Sequence, residues 1–309
     1  MASNQKNYTT INMAFHLLKN YGIIIFLKGV LFYFYRRLKR ARLNISKEMI
    51  IEVNGYKITT IPNDEGISAG LLMFKTHEPI NTKLFSRELK KGMVCLDIGS
   101  NIGYYALLES KIVGEKGKVI AIEPSPINFK YLEKNCKLQK YSNILTYNFA
   151  AAETDGFVNF LINEKSNWSK VVGDNLPNDE GTIIKVTTKQ IDSFISEIKI
   201  NNIDFLRMDV EGYEFNIYQG ARKVIRKFKP SLLIEIHKHL MGINKTKQFL
   251  EMLKEDGYEV KSYFPRELDV PIVGNINDVK KISIEKILEK LNDKSLFDVF
   301  HLLLIKGKE

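Results

Sequence analysis

The sequence predicts a doubly wound α/β fold, a mostly parallel sheet with helices on both faces. Short apolar runs alternate along the chain with stretches of helical periodicity, the order that builds parallel sheets through helical crossovers. Several of these runs, such as Val94-Cys95-Leu96 and Leu232-Leu233-Ile234, are apolar without alternation, which marks strands covered on both sides. A chain of 309 residues with 44% hydrophobic residues fits one large domain plus an appendage.

The appendage comes first. Met13 to Tyr35 is mostly apolar, and Arg36-Arg37-Leu38-Lys39-Arg40-Ala41-Arg42 follows at once. A cleavable signal peptide carries its charges before the apolar core, so the order here is reversed. As a membrane span the stretch is marginal, because a central Lys28 costs about 2.5–3.5 kcal/mol against roughly 3–6 kcal/mol from the apolar side chains. The expectation for residues 11–42 is a helix lying on a membrane surface, held by apolar bulk and a polybasic tail. The alternatives are packing on its own domain or on a twin subunit of a homo-oligomer, and a true span. A span would leave everything after Arg36 in the cytoplasm. All of these put the body in the cytoplasm, the first of them at the inner face of the membrane. Cys95 and Cys136 form no disulfide or metal pattern and suit a reducing compartment.

The net charge of +10 belongs to this appendage. Residues 1–47 hold nine Lys and Arg and no acid, leaving 37 cations against 36 acids elsewhere. A near-neutral body argues against a nucleic-acid partner.

Residues 48–92 read as a small subdomain. Met49–Val53 and Tyr56–Ile61 form a hairpin closed by Asn54-Gly55. Helical periodicity over 67–91 is interrupted at His77-Glu78-Pro79. Glu78 reads as a helix start, with the cofactor pocket as its alternative position.

Residues 93–309 form the main domain. Val94–Ile98 is a strand, Tyr104–Val113 a helix, and Lys118–Glu123 a strand followed by a helix from Asn128 to Lys140. Asn143–Ala150 is strand three, and 151–156 is a loop near an adenine position. Phe157–Glu164 pairs with Thr182–Thr188 around a polar loop holding Trp168. That tryptophan stacks on adenine or substrate, or packs in the core. Helix 190–198 precedes strand four, which ends in Met208-Asp209-Val210-Glu211-Gly212. Helix 214–228, strand 231–237, helix 245–256 and strand 258–264 follow. A loop with a short helix over 265–296 leads to a last strand, 298–305. Residues 157–187 and 265–296 are the expected lid.

Ligands of such sheets bind at the carboxyl edge. Asp97, Glu123, Asp209, Glu211, Glu235 and His237 all fall there. Gly99 and Gly103 bracket the first turn as D-x-G-x-x-x-G, not the G-x-G-x-x-G of a dinucleotide site. The leading carboxylate repels phosphate and suits a cation such as an α-amino group or a sulfonium, which points to S-adenosylmethionine. Asp97 with Gly99, Ser100, Asn101 and Gly103 is assigned the methionine moiety. Glu123, with Pro124 after it, stands at the spacing of a ribose-binding acid.

These residues resemble the FkbM-type S-adenosylmethionine-dependent methyltransferases. Leu96–Tyr105, Ile122–Pro126 with Asn128, Met208–Glu214 with Gly220-Ala221, and Lys229-Pro230 with Glu235-Ile236-His237 carry the likeness over about 65–240. The resemblance implies a Rossmann-like class I fold with seven strands, the last antiparallel. It also implies O-methylation of a sugar or glycan, a lipid-linked or a polyketide-type hydroxyl. Ser100 stands where the family more often has Ala, and the N-terminus lies outside the resemblance.

Asp209 is the first candidate for general base or acceptor positioning, followed by Glu211, Glu235 and His237. No metal is expected, since His237-Lys238-His239 brings no assured carboxylate; the one alternative is Mg²⁺ on Asp209 and Glu211. The competing functions are an NAD-dependent oxidoreductase and a non-catalytic binding module at the membrane. The acceptor is a small molecule, a glycan or a lipid-linked group.

Overall fold

In the computed structural model the described residues are 2–173, 181–293 and 296–307, with side chains described from Leu17 onward. Helix α1, Ala2–Ala41, breaks its helical path at Gly22 (φ 78°). Strands β1 (Ile50–Val53) and β2 (Tyr56–Thr59) form the hairpin, with Asn54 and Gly55 both at positive φ as a two-residue turn requires. Helices α2 (Ile67–Phe74) and α3 (Pro79–Glu88) follow.

The main domain then runs β3 (Val94–Ile98), α4 (Tyr104–Val113), β4 (Lys118–Ile122), α5 (Pro126–Cys136) and β5 (Ile144–Tyr147). Next come β6 (Ala150–Ala152), β7 (Gly156–Ile162), β8 (Lys170–Val172), β9 (Thr182–Gln190) and α6 (Ile191–Glu197). Strand β10 (Phe205–Met208), α7 (Glu214–Phe228), β11 (Ser231–His237), α8 (Lys238–Met241) and α9 (Ile243–Glu255) follow. Strand β12 (Tyr258–Pro265), α10 (Ile284–Glu289) and β13 (Val299–Lys306) close the chain.

Among the described residues the main sheet has seven strands in the order β12-β13-β11-β10-β3-β4-β5. Strand β13 runs antiparallel to both β11 and β12, while the other pairs are parallel. Alternate residues of each strand feed two separate cores. Leu96, Ile120, Leu206 and Ile234 pack with α6, α7 and α9. Cys95, Val119, Phe205 and Leu233 pack with α2 to α5, and the hairpin's Ile51, Val53 and Ile58 join that same core. This two-sided burial is why the central strands lack polar alternation.

The expected strand 143–150 is two strands. Asn148 donates its side-chain amide to the carbonyls of Glu123 and Pro124, which turns the chain off the sheet edge. Ala150–Ala152 then pairs with β9 in a second sheet, ordered β6-β9-β7-β8. Residues expected as an adenine-side loop are therefore partly strand. Helix α7 comes close to them because Gly220 has no side chain: a Cβ there would stand 2.1 Å from the carbonyl oxygen of Ala152.

Candidate functional site

A cleft enclosing about 780 Å³ of space, mouth included, opens at the carboxyl edge of β3, β4 and β10. Its floor is the β3–α4 turn. Gly99 (φ 84°) and Asn101 (φ 51°) take left-handed backbone there, and a Cβ on Gly99 would lie 2.0 Å from the carbonyl oxygen of Asp209. Only glycine fits. The turn's amides are already engaged: Gly99 and Ser100 N–H both donate to Ile122 O, and Asn101 N–H donates to Glu123 Oε2. They are not aimed outward as a phosphate cradle is.

Glu123 lines the cleft next to Pro124. Its other oxygen accepts from Ser125 N–H at 2.9 Å and from the Asn128 side chain at 3.4 Å. Burial raises its pKa to about 7, against the pull of these hydrogen bonds.

Asp97 is placed differently from expectation. It is fully buried behind the floor rather than lining the cleft, and its Oδ1 accepts from Arg207 Nη1 at 3.0 Å. Arg207 is the in-register neighbour of Asp97 on β10, so the nearest cation is a side chain of the protein. Arg207 also holds Asp209 Oδ2 at 2.8 Å and stacks over the Tyr105 ring at 4.0 Å. Burial alone would raise the Asp209 carboxyl, but the guanidinium outweighs it and holds the pKa below its ordinary value. Gly103 caps α4 at φ 97° and does not face the cleft.

Asp209 and Glu211, past the end of β10, line the cleft on the other side of β3 from Glu123, past the end of β4. Glu211 sits at φ 53°, a strained backbone for a residue with a side chain. Behind it, His237 is fully buried, with Nδ1 2.7 Å from Glu214 Oε1 and Nε2 3.2 Å from Glu211 Oε2. Burial opposes a charge on the ring, but Glu211, Glu235 and Glu214 prevail and raise its pKa well above the ordinary value. Glu235 is buried too, 3.4 Å from Arg266 and 3.6 Å from His301. Neither Glu235 nor His237 lines the cleft. The carboxylates that the sequence could not assure for His237 are present: single ligand atoms of Asp209, Glu211 and His237 all lie within 4.8 Å of one another.

Glu78 precedes α3 without capping it by a side-chain hydrogen bond, and it accepts from Tyr105 Oη at 2.7 Å. Arg207, Arg266 and His301 escaped the sequence reading, and Tyr105 entered it only as the end of the Leu96–Tyr105 motif. The available signal was Arg207 in an otherwise apolar strand, since a buried guanidinium demands a carboxylate partner. From the expected lid, Phe160, Ser166, Asn167 and Val171 line the cleft and Arg266 faces Glu211. The parts of it at 174–180 and 294–295 lie outside the described residues, as do the side chains of 11–16 in the expected surface helix. Trp168 is not a core residue: it is 45% exposed, with the Lys165 ammonium 3.7 Å from its ring centroid.

The sheet order and the cleft at its carboxyl edge define a class I methyltransferase fold. Residues 97–260, more than half of the chain, match the methyltransferase FkbM domain family, and the chain belongs to that family. S-adenosylmethionine is accordingly the cofactor, which sets the nicotinamide alternative aside. Methyltransferase 1 of Beauveria bassiana is 24% identical over 142 residues, covering 40% of this chain and 57% of the relative. A protein-L-isoaspartate O-methyltransferase of Methanococcus maripaludis is 26% identical over 155 residues, 47% of this chain and 69% of that one. A crystal structure of methyltransferase FkbM from Methylobacillus flagellatus superposes with a TM-score of 0.38 at 22% identity, over 53% of this chain and 38% of that one. Aeropyrum pernix fibrillarin with natively bound S-adenosyl-L-methionine superposes at 0.40 and 14% identity, over 86% of each chain.

Proposed function

We propose that the protein transfers the methyl group of S-adenosylmethionine to a hydroxyl of a glycan, a lipid-linked or a polyketide-type acceptor. The observation that carries this reading is a cleft with two chemically different sides. The Gly99–Asn101 turn after β3 and Glu123 after β4 form one side, and Asp209 and Glu211 after β10 the other. On this reading the turn binds the methionine moiety and Glu123 the ribose. Asp97 acts through Arg207, as a positioning residue rather than a ligand.

The hydroxyl oxygen attacks the methyl carbon as the carbon–sulfur bond breaks, S-adenosylhomocysteine leaves, and the hydroxyl proton passes to the Asp209 carboxylate and on to solvent. Asp209 and Glu211 orient the hydroxyl, and alignment supplies much of the rate. Asp209 is kept ionised by Arg207, which makes it a steady acceptor of a hydrogen bond and a weak base. Glu235 and His237 act from behind, through Glu211. Residues 48–92 brace the methyltransferase domain, 93–309, and residues 1–47 attach it to the inner face of a membrane. That attachment favours lipid-linked and glycan acceptors.

The test is an assay of labelled methyl transfer into membrane and glycan extracts. Asp209→Asn should cut turnover about 100-fold or more while calorimetric affinity for S-adenosylmethionine holds. Full activity in that variant would remove Asp209 from the acceptor side. Mass spectrometry of surface glycans and lipids from a deletion strain, seeking the loss of one methyl increment, identifies the acceptor.

A further inference from the structure

The acceptor side of the cleft holds more negative charge than its side chains neutralise. Arg207 is shared between Asp97 and Asp209, and Arg266 faces Glu235 at 3.4 Å and Glu211 at 3.8 Å. Glu78, Glu214 and Glu235 are buried in the same region. Buried carboxylates in excess call for protons or a cation.

We propose that Asp209, Glu211 and His237 bind a divalent cation of the Mg²⁺ or Mn²⁺ type. Their ligand atoms already converge within 4.8 Å. Ligands of an octahedral Mg²⁺ stand about 3 Å apart when adjacent and about 4 Å apart when opposite, so closure takes side-chain shifts on the order of 1–2 Å. The independent observation is the state of His237. Its Nδ1 faces Glu214 Oε1 at 2.7 Å, and that oxygen also accepts from Gly212 N–H. A carboxylate only accepts, so Nδ1 carries the hydrogen. That directs Nε2 towards Glu211 Oε2 at 3.2 Å and Glu235 Oε2 at 3.7 Å. Among the described residues Nε2 has no hydrogen-bond partner of proper geometry, although the ring is fully buried. A histidine whose far nitrogen is fixed by a carboxylate is the usual arrangement behind a metal ligand. The two carboxylates suit these cations, the imidazole favours Mn²⁺ over Mg²⁺, and the cleft gives them a route in.

A second trio, Glu78, Glu235 and His301, converges as closely but lacks the lone pair. The Asn81 side-chain amide donates to Glu78 Oε2 and to His301 Nδ1, which leaves the ring hydrogen on Nε2, facing the trio. Glu214 holds Nδ1–H of His237, so a cation that displaces the Nε2 proton favoured by the surrounding carboxylates finds a ligand there, whereas Asn81 keeps the His301 proton on Nε2.

What the ion does rests on the methyl-transfer reading: it takes the acceptor hydroxyl as a further ligand, so that Asp209 and Glu211 orient that hydroxyl by way of the metal. Its binding does not depend on that reading. The experiment titrates the full chain, freed of metal by a chelator, with Mn²⁺ and follows free Mn²⁺ by electron paramagnetic resonance. One Mn²⁺ should bind per chain. Glu211→Gln, at a partly exposed ligand, and Glu214→Gln, behind His237, should each weaken binding about tenfold or more without changing the circular dichroism. No specific Mn²⁺ binding, or binding unchanged in both variants, overturns the site. Calorimetry with S-adenosylmethionine in chelator separates the two readings. Cofactor binding without Mn²⁺ binding removes the metal site alone; Mn²⁺ binding without cofactor binding upholds the site and removes the methyl-transfer reading.

Discussion

Glu123 ties cofactor binding to pH. Burial lifts its pKa to about 7, so in the free protein it is half protonated near neutrality. The folded pKa lies above the unfolded one, so the folded chain binds the extra proton. That contribution to stability is full below the unfolded carboxylate pKa and is lost as pH rises through about 7. Cofactor affinity runs the other way, because ribose hydroxyls donate to the ionised carboxylate. Calorimetry should therefore find S-adenosylmethionine affinity falling up to about tenfold per pH unit below the pKa, and Glu123→Gln should bind more weakly with a flat profile. A flat profile in the native chain would take Glu123 out of the ribose site. Glu123 was legible in the sequence because its spacing from the glycine turn is local. Arg207 was not, although it governs both Asp97 and Asp209. Its partner is set by the pairing of β10 with β3, residues more than a hundred positions apart, and strand order is a tertiary outcome that no local pattern encodes.

The β3–α4 turn is the element that joins the two sides of the cleft, because Gly99 touches the backbone of Asp209. Gly99→Ala meets two penalties: about 1–2 kcal/mol for left-handed backbone and about 1–3 kcal/mol for the clash with that carbonyl. Gly92 has the same backbone hand (φ 86°) and open space around its Cβ position, so Gly92→Ala isolates the first penalty. Urea denaturation should find Gly99→Ala the less stable of the two, and only that variant should lose cofactor affinity. Equal midpoints would mean that the approach to Asp209 is not tight. Elements with strong local signals were readable: Tyr104–Val113, Glu214–Phe228 and Ser231–His237 run as their periodicity and turn residues predict. The division of β5 from β6 was not, because it depends on the Asn148 side chain reaching the carbonyls of the β4–α5 loop. Strand β8 was hidden for a similar reason, since its three residues are strand only by pairing with β7.

At the scale of the whole molecule, α1 has two apolar faces and the body covers one of them. Leu17, Ile25 and Phe32 pack against Ile80, Leu84, Phe264 and Leu268. The expectation of packing on the chain's own domain therefore holds for that face. Ile24, Leu27, Leu31, Phe34 and Leu38, three to four residues apart in turn, remain exposed on another. Residues 17–41 are long and apolar enough to cross a bilayer, but a helix tied to the body along one side is better placed to lie in the interface. Arg36, Arg37 and Arg42 are exposed at its end and add about 1 kcal/mol each near anionic lipid. The full chain should float with phosphatidylglycerol vesicles and less with neutral phosphatidylcholine vesicles, the difference shrinking as salt rises. Ile24→Glu combined with Leu31→Glu alters only the outer face, so it should abolish flotation while leaving the unfolding temperature and cofactor affinity in place. If the native chain stays unbound to both kinds of vesicle, α1 is a brace for the body and the acceptor need not be sought at the membrane.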